Sequence, residues 1–203
     1  MTKLPIRALA FELAGALLVA AGAAAQDHAA TDHCAPVTKR SPFRRSQHQY
    51  TLPDVTLRDQ AGRPFAASEL QGASGPLVVN FIFTTCTTIC PVMTATFAQM
   101  RRELGAEADR IRFVSITIDP EHDTPSALAE YAERFGAPPG WSFLTGSPAD
   151  VERVLRALDA CVVSKTSHRA ITLLRRSGDT GWVRLEGLGS GAALADEARL
   201  LLD

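Results

Sequence analysis

Two cysteines four positions apart form the segment with the clearest chemical potential. Cys86 and Cys90 lie in TTCTTICP (84–91), directly after the apolar run 77–83. That run predicts a strand buried on both faces, and the apolar periodicity after the motif predicts a helix. Sites in open α/β sheets form at such junctions, outside the carboxyl ends of strands. The two sulfurs are therefore predicted to hold a soft metal ion or to form a redox-active disulfide. A structural disulfide, or two buried thiols, is the alternative without function.

Pro91 suits the first position of a helix and would place Cys90 at the helix start. The partial positive charge there favours a thiolate, so we expect Cys90 to be a better ligand and nucleophile than an ordinary cysteine. His168 precedes a predicted strand over 170–174, which would pair beside 77–83 and could direct the imidazole towards the sulfurs. A lone histidine is more often a surface or core residue. Two thiolates and one imidazole would suit Cu(I), and Cu(II) also accepts mixed nitrogen and sulfur ligands.

Asp119 follows a further predicted strand, 111–118, and is expected near the same edge of the sheet. Two roles stay open for it: a carboxylate that orients a ligand or tunes a thiol, and a loop or capping residue. We expect His122 and Asp123 to be turn and cap residues. Met93 belongs to the apolar stripe of the predicted helix, so core packing is expected rather than metal binding.

The elements that must position these residues alternate along 50–203. Apolar spacing predicts a hairpin around 55–62, the strand 77–83, a helix ending at Gly105 and the strand 111–118. Helices starting at Thr124-Pro125 and Ser147-Pro148, a hairpin over 170–185 and a last helix complete the order. This order predicts an α/β, thioredoxin-like three-layer domain with a mixed central sheet flanked by helices.

The N-terminal part has a different pattern. Residues 1–25 combine basic residues, an apolar run and small residues, as in a signal peptide for export to the periplasm; an uncleaved inner-membrane anchor is the alternative. Residues 26–49 are predicted to be a flexible tether, which could contact anionic lipid weakly. The net charge of −1 gives no support for nucleic-acid binding. Cleavage after Ala25 would leave His28 third in the chain, a position that allows an N-terminal Cu(II) site.

The two other cysteines are Cys34, in the predicted tether, and Cys161. We expect Cys161, which neighbours Val162 and Val163, to be a buried strand residue. In an oxidising compartment Cys34 could pair with Cys161 or link two chains.

Three segments resemble the Sco/SenC family of copper-binding, thioredoxin-like proteins: FIFTTCTTICPVM (81–93), DPEHDTP (119–125) and SHRAITLL (167–174). The resemblance implies that Cys86, Cys90 and His168 bind copper. It also implies delivery of copper to the binuclear centre of cytochrome c oxidase, or maintenance of its cysteines in the reduced state. Ser167 stands where many members have an acidic residue, and the segment before His168 is short, which leaves the client open.

The leading hypothesis is thus an exported copper chaperone. Its expected partners are a copper-receiving protein, such as a cytochrome c oxidase subunit, and a protein that reduces its thiols. The alternative is a thiol–disulfide oxidoreductase acting on exported or oxidase cysteines, with Cys86 and Cys90 as the redox pair. The longer spacing than Cys-x-x-Cys, and the absence of proline from 164–174, weaken a purely redox role. A third hypothesis is a copper or redox sensor.

Overall fold

The computed structural model describes residues 41–72 and 75–203. Strands in this part are β1 (Arg44–Gln49), β2 (Thr56–Asp59), β3 (Pro64–Ala66), β4 (Leu77–Ile82), β5 (Arg112–Thr117), β6 (Trp141–Thr145), β7 (Ile171–Arg175) and β8 (Gly181–Glu186). The α-helices are α1 (Glu69–Gly72), α2 (Ile89–Leu104), α3 (Pro125–Arg134), α4 (Pro148–Ala157) and α5 (Gly191–Arg199). Two 3-10 turns cover Gly105–Arg110 and Lys165–Ser167.

The described strands form one mixed sheet in the order β1-β8-β7-β4-β5-β6-β2-β3. The central strands β4, β5 and β6 are parallel, whereas β7 runs antiparallel to β4. This direction brings the start of β7, which His168 precedes, to the carboxyl end of β4. β6 is not among the strands predicted from the sequence. Its five residues, WSFLT, neither alternate strictly between apolar and polar nor form a continuous apolar run, and pairing with β5 and β2 makes them a strand.

Alternating side chains of the sheet enter two separate cores. Val78 and Ile82 of β4 face a core that includes residues of α2, α3 and α5. Val79 and Phe81, on the opposite face, join a core that includes residues of α1 and α4. Helices therefore cover both faces, and the predicted three-layer thioredoxin-like class is confirmed.

Local signals at the helix starts hold in most places. Thr124 and Ser147 each accept a hydrogen bond from the backbone N–H three residues later, with proline at the following position, as predicted. α2 begins at Ile89, so Pro91 occupies its third position rather than its first. The earlier start places Cys90 inside the first turn of the helix.

The end of the predicted tether needs correction. Arg44–Gln49 are not flexible chain but strand β1, paired antiparallel with β8 along its whole length. The strand gains hydrogen bonds and an ion pair between Arg44 and Glu186 at 2.6 Å. Phe43 is buried just before it. The strand was hidden because all six of its residues, RRSQHQ, are polar and none is buried, as its position at the edge of the sheet allows. The predicted leader, 1–25, lies outside the described residues, and no helix within them is long and apolar enough to span a bilayer.

Candidate metal centre

The cysteine loop, residues 83–90, leaves the carboxyl end of β4 and enters α2. The Cys86 N–H donates to the carbonyl of Phe83 over 3.3 Å, which folds the loop into a turn. Cys90 follows in the first helical turn, and its backbone N–H donates to the Cys86 sulfur over 3.4 Å. Both thiols are free and buried, Cys86 with 8% of its surface exposed and Cys90 with 0%. The two sulfurs thus occupy the predicted strand–helix junction.

The two thiols differ strongly in acidity. Burial by itself raises the pKa of Cys86, but hydrogen bonds from the backbone and side chains of Cys90 and Thr88 outweigh it and lower the pKa to about 7. Burial raises the pKa of Cys90 far above its ordinary range, and its hydrogen bond to Cys86 raises it further. In the reduced protein Cys86 is therefore the first of the two thiols to ionise, and Cys90 is the thiol that donates to it.

This division reverses one expectation. The sequence predicts that Cys90 gains thiolate character from the helix N-terminus, and for Cys90 that prediction is wrong. The N–H groups at the start of a helix point away from the helix, and here one of them points at the sulfur of Cys86. The dipole argument applies, but to the cysteine that precedes the helix, because the Cys90 side chain lies in the core.

His168 lies just before β7 and beside the end of β4. Its Nε2–H donates to the Phe81 carbonyl over 3.0 Å, and its ring meets the Phe83 ring edge-on at 6.3 Å between centroids. Only 8% of the residue is exposed, and burial lowers the pKa of the imidazole. Because a carbonyl only accepts, Nε2 carries the proton and Nδ1 presents a lone pair. Nδ1 is buried without a hydrogen-bond partner in the described part of the chain.

Convergence of the three predicted ligands is incomplete. Cys86, Cys90 and His168 lie at one edge of the sheet, but their ligand atoms do not all fall within 4.8 Å of one another. Phe83 contacts the imidazole and also packs against the core that contains both cysteines. A shared ion would therefore require the cysteine loop and residues 165–168, the histidine loop, to move closer together.

Asp119 lies at the carboxyl end of β5, as predicted, and is 2% exposed. Its Oδ1 lies 2.6 Å from Lys165 Nζ and 3.0 Å from His122 Nδ1. Burial alone would raise the pKa of Asp119, but these two partners lower it. Asp119, Glu121 and His122 have ligand atoms within 4.8 Å of one another. Asp119 is thus part of a polar cluster beside the histidine loop and also a turn residue, because its carbonyl accepts the backbone N–H groups of His122 and Asp123.

Asp123 has a larger role than the cap that its sequence position indicates. The side chain is fully buried and accepts hydrogen bonds from both the backbone and the hydroxyl of Thr84, at 3.1 Å and 2.5 Å. The Thr117 hydroxyl donates to its second oxygen. Sequence analysis missed this contact because Thr84 and Asp123 are 39 positions apart, and only the parallel pairing of β4 with β5 makes them neighbours.

Other predicted residues fall elsewhere. Met93 is 4% exposed, as expected for a core residue. Cys161 is not a buried strand residue: it is exposed, lies between α4 and the turn at Lys165, and lines an open cavity of about 240 Å³ with Asp119. Its surface position arises because the chain leaves the core after Ala160. His28 and Cys34 lie outside the described residues.

A family model described as SCO1/SenC matches residues 44–177 of the 203-residue chain. The chain belongs to the SCO1/SenC family. A curated relative, the SCO1 protein homolog of Bacillus subtilis, is 34% identical over 116 residues, which make up 56% of this chain and 59% of the relative. The match therefore spans less than two thirds of that relative's length.

Solved SCO1/SenC structures share the fold. The structure of BsSco, described as a member of the Sco family of cytochrome c oxidase assembly proteins with a disulfide switch, is 26% identical with a TM-score of 0.63. It covers 77% of this chain, and the match includes 95% of BsSco. Arabidopsis thaliana ScoI with copper bound has a TM-score of 0.62 at 24% identity, over 72% of this chain and 94% of ScoI. At that identity the likeness to ScoI concerns the fold alone.

Proposed function

We propose that this chain binds copper through Cys86, Cys90 and His168 and passes it to a partner protein. The supporting observation is the state of His168. Its Nε2–H is engaged by the Phe81 carbonyl, and Nδ1 is a buried lone pair without a hydrogen-bond partner among the described residues. A buried acceptor left unsatisfied is costly, and coordination of a metal ion would compensate for it.

The donor set suits copper. One thiolate, one thiol that can lose its proton to a metal, and a neutral imidazole form a soft set of low coordination number. The lowered pKa of His168 keeps the imidazole neutral at pH 7, as a ligand must be. Cu(I) is the preferred form, and mixed nitrogen and sulfur ligation also accommodates Cu(II). Copper is the cargo here, so the chain must release it as well as bind it.

Unequal exposure of the ligands gives a route for release. Cys86 has part of its surface at the protein edge, whereas Cys90 is closed off in the core. An incoming sulfur from a partner would reach the ion from the Cys86 side and replace one ligand at a time, so that no free ion forms. A Cys86–Cys90 disulfide could not hold the ion in this way, so loading would depend on a thiol-reducing partner.

The copper centre of a cytochrome c oxidase subunit is the proposed recipient, in line with the description of BsSco as an oxidase assembly protein. The periplasm is the proposed location, supported by the export pattern in residues 1–25. One solved family member, from Bacillus anthracis, is a lipoprotein. Export of this chain, followed by N-terminal sequencing of the mature protein, separates cleavage after Ala25 from an uncleaved anchor and shows whether His28 becomes the third residue.

A thiol–disulfide oxidoreductase is the second candidate. The pKa of Cys86, about 7, supplies an attacking thiolate at neutral pH, and Cys90 is placed to resolve a mixed disulfide. In that reaction Cys86 would attack a partner disulfide, the partner would leave as a thiolate, and Cys90 would then displace the second partner sulfur. His168 has no part in this exchange.

An anaerobic Cu(I) titration of the reduced protein, in competition with a chromophoric chelator, separates the candidates. A chaperone predicts one ion per chain and a loss of affinity of about tenfold or more in His168→Ala. The matched control is His48→Ala, which removes an imidazole stacked on Tyr50 in the edge strand β1. X-ray absorption should count sulfur and nitrogen ligands in the wild type and sulfur alone in His168→Ala. If His168→Ala changes neither the Cu(I) affinity nor the rate of thiol–disulfide exchange, the oxidoreductase is favoured.

A further inference from the structure

A buried carboxylate connects the cysteine loop to the neighbouring loop after β5. Asp123 receives the Thr84 N–H and hydroxyl through one oxygen and the Thr117 hydroxyl through the other. Asp123 and Thr117 are both 0% exposed. Thr84 opens the turn that carries Cys86, so the position of this turn relative to β5 depends on the carboxylate of Asp123. Every partner named here is a donor, which satisfies the buried charge.

The connection continues to the histidine loop. The Thr117 hydroxyl that donates to Asp123 also accepts the backbone N–H of Asp119, over 2.8 Å. The Asp119 carboxylate in turn pairs with Lys165 at 2.6 Å. Lys165 begins the short turn before His168, and its carbonyl accepts the His168 backbone N–H over 3.2 Å. Polar contacts therefore run without a break from the cysteine loop to the residue that carries the imidazole.

We propose that this connection sets the spacing between the two ligand loops, with Asp123 positioning the cysteines and Lys165 positioning His168; the inference rests on the proposed copper site. Neither residue is a ligand. Asp123 acts on the sulfurs through Thr84, and Lys165 acts on the imidazole through Asp119 and the turn Lys165–Ser167. Because one buried carboxylate and one ion pair already hold the two loops in position, less ordering of the loops is needed when copper binds.

The two positioning roles predict different couplings to His168. Lys165→Met removes the ammonium but keeps an unbranched side chain, and it should lower Cu(I) affinity about tenfold. In a His168→Ala background the same change should have an effect of less than about twofold, because no imidazole is left to position. Asp123→Ala should lower affinity about tenfold in both backgrounds, because it acts on the cysteines.

Stability changes are separated from positioning by controls. Ser115→Ala removes buried hydrogen bonds to Asn80 and from Trp141 within the same sheet, without a contact to either ligand loop. It should lower the melting temperature while leaving Cu(I) affinity unchanged. Lys165→Arg keeps the ion pair and should restore affinity. If Asp123→Ala does not fold, Asp123→Asn retains the shape and an acceptor for Thr84 but loses the charge, and should show a smaller loss in both backgrounds.

Cu(I) competition titrations, melting curves and X-ray absorption on the full reduced chain decide the matter. The inference is supported if Lys165→Met reduces nitrogen coordination of the bound copper and is silent when His168 is alanine. It is overturned if Lys165→Met and Asp123→Ala, like Ser115→Ala, leave the Cu(I) affinity unchanged. It is also overturned if Lys165→Met lowers the Cu(I) affinity by the same factor with and without His168. A wild type that binds no copper, or binds it equally well without His168, would instead contradict the proposed function itself.

Discussion

The acidity of Cys86 leads to a sharp prediction about the reduced, metal-free protein. A thiol with a pKa of about 7 is about half ionised at pH 7, whereas one at the ordinary value of 9.0 is about 1% ionised. Because only the thiolate is alkylated, the rate at pH 7 should reach about half of its high-pH plateau instead of about 1%. Normalising to the plateau removes the effect of burial on access, so the roughly fifty-fold difference reports ionisation alone.

The assay follows iodoacetamide modification from pH 5.5 to 10 in a Cys34→Ser, Cys161→Ser background, which removes the thiols outside the pair. Mass spectrometry should place the label on Cys86. Cys90→Ala keeps the backbone N–H that donates to Cys86, so the midpoint should stay well below 9. A midpoint near 9 in the folded protein, or first labelling of Cys90, would refute the assignment of Cys86 as the thiolate.

Three shorter predictions concern stability. Gly187 has φ +122°, and a side-chain carbon added there would lie 2.8 Å from the Pro42 carbonyl oxygen. Gly187→Ala should therefore lower the free energy of unfolding in urea by about 1–3 kcal/mol, and an unchanged urea midpoint would contradict the geometry. A chain starting at residue 50 lacks β1 and Phe43, so its melting temperature should be lower than that of a chain starting at residue 41. Equal melting temperatures would instead support the original prediction that residues 26–49 are a flexible tether. Burial lowers the pKa of His168 below its ordinary 6.5, so below that pH the unfolded chain binds a proton that the folded chain does not, and the free energy of unfolding falls. Denaturant titrations at pH 7 and pH 5 should show a smaller fall in His168→Gln than in the wild type.

Much of the layout follows from short-range signals. The buried run before Cys86, the capped helices after Thr124 and Ser147, and the turn between β7 and β8 each depend on residues close together in the chain. The same holds for the position of the cysteine motif, since a strand–helix junction is defined by the two elements that it joins. Such features are predictable because neighbouring residues alone decide them.

Edge elements show where pattern reasoning ends. The polar strand β1 and the five residues of β6 carry no period that distinguishes them from loop. Both become strands because β8 in one case, and β5 and β2 in the other, offer unpaired backbone groups beside them. Their conformation is a property of partners more than 20 positions away, and partner identity is decided by the whole sheet.

The types and spacing of Cys86 and Cys90 were enough to indicate a soft-metal or dithiol site, because ligand chemistry is a property of the side chains themselves. His168 was assigned as a ligand through the family resemblance and not from its own position. Which thiol ionises was decided only by the tertiary structure, since the direction of one backbone N–H and the depth of one sulfur set the two pKa values. The tautomer of His168 and the role of Asp123 likewise arise from contacts with Phe81 and Thr84, which are 87 and 39 positions away. Burial and orientation come from the fold, and no local pattern contains them.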